Sequence, residues 1–175
     1  EGAQLAEIHG VISTIGILHN DDFMPEKHLG AVNAEQLRHS FEVNTILPML
    51  LLQQLLRKLP RKKPAFWVQL SAKVGSITDN YLGGWYSYRA SKAALNMLLK
   101  TASIELGRSH KQLVIAAIHP GTTDTELSAP FQERLPADKL YTPAQSAERI
   151  ARVIKNLTTE QSGKLLHWDG TELPY

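Results

Sequence analysis

Hydrophobic residues along this chain gather in short runs of strand length, separated by longer stretches with helical spacing. Val11 to Leu18, VISTIGIL, is apolar on both faces and rich in β-branched residues, which predicts a buried parallel strand. Gly2 to Ile8 reads as the last turns of a helix ahead of it. Ala65 to Leu70, AFWVQL, and Leu113 to Ile118, LVIAAI, predict a second and a third strand, and Gly163 to Trp168 a short last one.

Helices are predicted between them. Asn33 is suited to cap a helix, with Gln36 three residues later as in a capping box, and the helix runs to about Leu59. Pro48 inside it should kink it or release one backbone carbonyl. A loop rich in Gly, Ser, Asp and Asn, Ser71 to Gly84, leads to a second long helix from Trp85 to Leu106, with Gly107 as a left-handed cap. Residues 122 to 141 read as an irregular loop, and Thr142-Pro143 opens a third helix to about Asn156. The alternation predicts an α/β fold of one domain, a parallel sheet with right-handed crossovers and helices on both faces. Ligands in such folds bind beyond the carboxyl ends of the strands, here Leu18 to Asp21, Ser71 to Ser76, His119 to Asp124 and the start of the loop after the last strand.

Composition narrows the function. The 175 residues are 43% hydrophobic, enough for a core, and the net charge of +2 is too small to argue for nucleic acid. The basic cluster at Arg57, Lys58 and Arg61 to Lys63 reads as favourable charge at a helix end. No apolar run approaches the roughly 20 residues that span a bilayer, so no membrane partner is expected. The absence of cysteine removes thiol chemistry and suits a reducing, cytoplasmic setting. Seven histidines include no metal-binding pair, so no metal site is expected, and no G-x-S-x-G occurs.

One spacing carries chemistry. Tyr88 and Lys92 lie four apart on a predicted helix, hence on one face. A lysine ammonium beside a phenol favours the phenolate and should lower its pKa from near 10, at about 1.4 kcal/mol per unit. The alternative is a surface Tyr and Lys spaced by chance. Ser71 and Ser76 in the preceding loop and Pro120-Gly121 after the third strand add a hydroxyl and close backbone to the same rim.

The segments YRASKAALNMLLKTASIEL, FEVNTILPMLLLQQLL and IHPGTTDTEL resemble, in order, three motifs of the short-chain dehydrogenases/reductases, with ISTIGIL standing where that family has N-N-A-G. The stretch from Leu70 to Asn96 and the ending GKLLHWDGTELP look most like the branch of C-factor and small carbonyl reductases. The resemblance implies a Rossmann-like doubly wound sheet in three α/β/α layers. It implies an oxidoreductase moving hydride between NAD or NADP and a carbonyl or alcohol carbon. By position it implies Tyr88 as general acid/base, Lys92 as the lysine that lowers the tyrosine pKa and binds the nicotinamide ribose, and Asn44 as the asparagine that holds a relay water. It also implies cofactor contacts at Ser13, Gly16, Pro120, Gly121, Thr123 and Thr125, and a homo-oligomer, dimer or tetramer, through the two long helices.

The chain departs from the family in two places. The family serine falls at Ala72, with Ser71 one residue early and Ser76 one past the glycine; Ser71 is the expected catalytic serine and Ser76 the alternative. The T-G-x-x-x-G-x-G turn that seats the pyrophosphate does not occur. The chain is therefore expected to be the back two-thirds of the domain, lacking the first βαβ units and binding dinucleotide poorly. A non-enzymatic interaction or cell-signalling protein on the same fold, or an inactive fragment, is the alternative. Asp124 and Glu126 read as solvated loop charges, and Tyr81, Trp85 and Tyr86 as either pocket lining or core.

Overall fold

A computed structural model describes residues 7–133 and 135–175. The helix end expected at Gly2 to Ile8 lies largely outside them. Strand β1, Gly10–Ser13, pairs in parallel with β2, Ala65–Leu70, which pairs in parallel with β3, Leu113–His119. Helix α1, Ala34–Phe41, a widened π turn at Glu42–Ile46, and α2, Leu47–Leu55, occupy the first crossover; α3, Tyr86–Leu106, occupies the second. The short strands β4, Thr122–Thr123, and β5, Leu140–Tyr141, pair with each other, and α4, Pro143–Lys155, follows. Strand β6, Leu165–His167, joins β3 in parallel, and β7, Glu172–Leu173, closes the sheet antiparallel to β6.

Alternation of side chains across the strands builds the layers. Trp67, Leu113, Ile115, Ala117 and Leu165 face Leu52, Leu95, Leu99 and Leu106 of α2 and α3. Val68, Ala116, Ile118 and Leu166 face Ile150 and Val153 of α4 on the opposite side. The expected parallel sheet between helical layers is thus observed, with an antiparallel edge hairpin that the sequence pattern did not predict.

Several boundaries differ, each for a local reason. The first strand stops at Ser13 rather than Leu18, because side chains take over the backbone polar groups beyond it. Gln69 donates to the Ile15 carbonyl at 3.2 Å, and Asn44 binds both the N–H and the carbonyl of Ile17. The long helix is not continuous: the π turn interrupts it, and Pro48 has no N–H to give to the carbonyl of Asn44 four residues back. Asn33 caps α1 as expected, but Gln36 reaches the Met24 carbonyl instead of closing the capping box. At α4 the box is complete, between Thr142 and Gln145. Gly107 is right-handed, φ −57°, so it is not the left-handed cap expected; the helix winds down through successive tight turns. Trp85 precedes α3 rather than opening it, and adopts φ 52°.

Candidate active site

The carboxyl ends of β1, β2 and β3 open into a cleft of about 1040 Å³ against the first turns of α3. Asn44 organises its base. The π turn swings this fully buried amide inward, where Oδ1 accepts the Ile17 N–H at 2.7 Å and Nδ2 donates to the Ile17 carbonyl at 2.9 Å. Nδ2 also donates to Ser91 Oγ at 3.0 Å, and Ser91 donates to the Tyr88 carbonyl at 2.9 Å. One amide therefore ties the exit of β1 to the helical turn that carries Tyr88. Gly16 sits close to this set: a Cβ there would stand 3.1 Å from Lys92 Nζ and 3.4 Å from Asn44 Oδ1, so a side chain would press on both groups.

Tyr88 and Lys92 both line the cleft and are both buried, 9% and 3% exposed. Lys92 Nζ donates to the Leu70 carbonyl at 3.2 Å and lies 5.8 Å from the centre of the Tyr88 ring. The expected lowering of the phenol pKa by Lys92 is not what this arrangement gives. Burial pushes Tyr88 up to about 12 and Lys92 down to about 8. Desolvation disfavours both charged forms, and the ammonium is spent on a backbone carbonyl rather than on the phenol. At neutral pH Tyr88 therefore keeps its proton and stands as a donor.

The other expected residues divide. Gly16, Pro120, Gly121, Thr123 and Thr125 line the cleft. Gly121 has φ 81°, and a Cβ there would meet the rings of Tyr141 and Trp168 at 3.0 and 3.1 Å. Thr123 shares a 2.7 Å hydrogen bond with Ser146. Ser13 does not line the cleft: it is 4% exposed and buried at the end of β1, while Thr14 beside it faces the opening. Ser71 lines the cleft, but its hydroxyl donates to Asn96 Oδ1 at 2.8 Å, one helical turn beyond Lys92. Ser76 is turned out of the cleft, where it accepts the Asp79 N–H at 3.1 Å. Ala72, at the family's serine position, packs with Leu18 and Tyr88.

Trp85, expected from the sequence as either pocket lining or core, lines the cleft together with Phe131, which no sequence pattern singled out. Trp85, delivered by its left-handed backbone, and Phe131, from the loop after β4, meet with ring centres 4.9 Å apart and planes tilted by 57°, and Trp85 meets Tyr88 edge to face at 6.1 Å. His119 also lines the cleft, and burial holds its imidazole down to about 4, hence neutral. Tyr81 sits at the mouth, Tyr86 faces a separate groove, and Asp124 and Glu126 lie outside the cleft. Among the described residues no cluster of potential metal ligands occurs and no helix is long and apolar enough to cross a membrane.

A parallel sheet with a tyrosine and a lysine one turn apart at its carboxyl rim defines a class of dinucleotide-dependent oxidoreductases. The family model for short chain dehydrogenase matches residues 2–136, and the chain belongs to that family. It is 31% identical over 170 residues to a 1-hydroxy-2-glutathionyl-2-methyl-3-butene dehydrogenase of Rhodococcus sp. (strain AD45), covering 97% of this chain and 69% of that one. It is 31% identical over 147 residues to the C-signal of Myxococcus xanthus, covering 84% of this chain and 83% of that protein. It superposes with TM-score 0.79 and 29% identity on an NADPH-bound carbonyl reductase from chicken fatty liver, covering 94% of this chain and 64% of that one. The chain thus spans about two thirds of the length of the chicken enzyme and of the Rhodococcus dehydrogenase.

Proposed function

We propose that this chain carries the proton-transfer half of an NAD(P)-dependent carbonyl reductase, with Tyr88 as the general acid. The observation that carries the reading is the buried Tyr88–Lys92 pair, set in an apolar cleft between Gly16 and Gly121. The residues fit the nicotinamide end of a dinucleotide: Gly16 and Gly121 bring backbone to either side of the cleft, Lys92 supplies a cation, and Pro120, Thr123 and Thr125 supply backbone and hydroxyl contacts. A bound nicotinamide dinucleotide would supply the hydride to the carbonyl carbon. Tyr88, neutral at pH 7, gives its proton to the oxygen as negative charge grows there, yielding an alcohol.

The substrate reading is an uncharged carbonyl on an apolar or aromatic body. Leu18, Val74, Trp85, Leu127, Phe131 and Leu135 line the opening. The cations near them are already engaged: Lys73 with Asp79 at 3.1 Å, and Arg89 with the Gly84 carbonyl at 3.0 Å. Following NADPH oxidation with an aromatic aldehyde and with its carboxylated analogue should show kcat/KM at least about tenfold higher for the uncharged compound. Equal rates, or none with any carbonyl, would refute the substrate class or the activity respectively.

We also propose self-association through α2 and α3. Leu47, Leu50, Met97, Leu98 and Ile104 leave apolar surface exposed along these two helices. Light scattering should return at least a dimer mass, and Leu50→Glu with Ile104→Glu should reduce it to the monomer.

A further inference from the structure

Outside the proton-transfer set, the cleft's neighbourhood holds one buried carboxylate that the mechanism does not use. Glu26 is 2% exposed and, among the described residues, forms no salt bridge. A buried carboxylate is costly unless hydrogen bonds hold it. All of its side-chain bonds go to one residue: Oε2 accepts the Ser87 N–H at 3.1 Å, and Oε1 accepts the Ser87 hydroxyl. Its own carbonyl accepts the N–H of Trp85. Residue 26 therefore holds Trp85 and Ser87, the residues that flank the start of α3, and Tyr88 is the next residue.

This start needs outside support. Trp85, the residue before the helix, has no side chain able to cap it and none of its side-chain atoms bonds the first turn. Gly83, Gly84 and Trp85 are all left-handed, at φ 65°, 66° and 52°, and a tryptophan there is strained. The strained turn aims the Trp85 ring at Tyr88 and Phe131. The Ser87 N–H is one of the orphan donors at the amino end of this 21-residue helix, and Glu26 supplies its acceptor.

We propose that Glu26 is a positioning residue, a cap supplied from the loop before α1, that sets both the Tyr88 phenol and the Trp85 wall of the cleft. The proposal rests on the carbonyl-reductase reading for its effect on catalysis, but its geometric half is independent of it. Glutamine at position 26 keeps an acceptor for the Ser87 N–H and can donate to the Ser87 hydroxyl, whereas alanine keeps neither.

Hydrogen exchange by mass spectrometry and steady-state kinetics on Glu26→Ala, Glu26→Gln and Ser87→Ala test it. In Glu26→Ala, amides 85–89 should exchange at least about tenfold faster while those of β2 and β3 do not change. Its kcat should fall about tenfold or more and KM for the aromatic carbonyl should rise, with Glu26→Gln restoring both to within about threefold. Ser87→Ala, which keeps the N–H bond, should lie between, and it carries the test if Glu26→Ala does not fold. Unchanged exchange at 85–89, or a uniform rise throughout the chain with kcat and KM intact, would overturn the positioning role. A wild-type chain that reduces no carbonyl would refute the enzymatic reading, and the exchange result would still decide the cap.

Discussion

Replacing Tyr88 with phenylalanine should lower kcat for carbonyl reduction by about 10²–10⁴-fold, the usual contribution of a positioned proton donor. The fold should survive the change, because the ring packs with Leu18, Ala72 and Trp85 and the substitution removes only the hydroxyl. Thermal melting should therefore shift little while NADPH oxidation collapses, which separates loss of chemistry from loss of structure. Ser71→Ala supplies the contrast. Its hydroxyl proton is given to Asn96, so it is not aimed at a ligand oxygen. That variant should lose less than about tenfold in kcat. It should lose about 1–2 kcal/mol of stability, since the buried Asn96 Oδ1 is left unpaired. Full turnover in Tyr88→Phe would remove the phenol from the mechanism; a Ser71→Ala loss as deep as that of Tyr88→Phe would return the serine to it.

Lys92→Met should cut carbonyl reduction by about 10²-fold or more and yet make the protein more stable at pH 7. Lys92 has a folded pKa of about 8 against an ordinary 10.5, so the folded state disfavours its charge. Below pH 8 both states hold the proton and the penalty is fully present, up to about 3 kcal/mol. Between pH 8 and 10 the unfolded chain holds a proton that the folded chain has released, so stability rises with pH at up to about 1.4 kcal/mol per unit. Above pH 10 the sign of the next contribution reverses. Tyr88 and Tyr175, both raised to about 12, keep protons in the folded state that the unfolded chain gives up, and stability falls. Denaturant melts from pH 7 to 10 should show the rise in the wild type and a flat profile in Lys92→Met. A parallel slope in both would mean that Lys92 is not the titrating group. The net gain at pH 7 is reduced by the lost hydrogen bond to the Leu70 carbonyl, which leaves a rise in Tm of a few degrees.

Residues distant in sequence meet at this site in ways that local patterns do not encode. The run VISTIGIL reads as one strand because periodicity sees only side chains. Its backbone leaves the sheet at Ser13 because Asn44, 27 residues on from Ile17, offers a better pair of hydrogen bonds. The direction of the phenol shift is set by tertiary structure for a related reason: the helical spacing brings Tyr88 and Lys92 to one face, but the depth of that face decides which effect dominates. Ser71 and Ser76 could not be separated by counting residues, since the turn after β2 decides which hydroxyl faces the cleft and which partner takes its proton.

The amino-acid sequence by itself determined the alternation of strands and helices, the caps at Asn33 and Thr142, the one-face spacing of Tyr88 and Lys92, and through its ordered motifs the family. Each of these is local, set by side-chain periodicity, capping groups or a short run of residues. The tertiary structure alone decided where β1 ends, how the π turn aims Asn44, that Ser13 lies away from the cleft, that Trp85 and Phe131 wall it, and that Glu26 holds the first turn of α3. These are matters of burial and of hydrogen bonds closed between distant segments, and the free energy of a buried polar group depends on the partner that the fold brings to it.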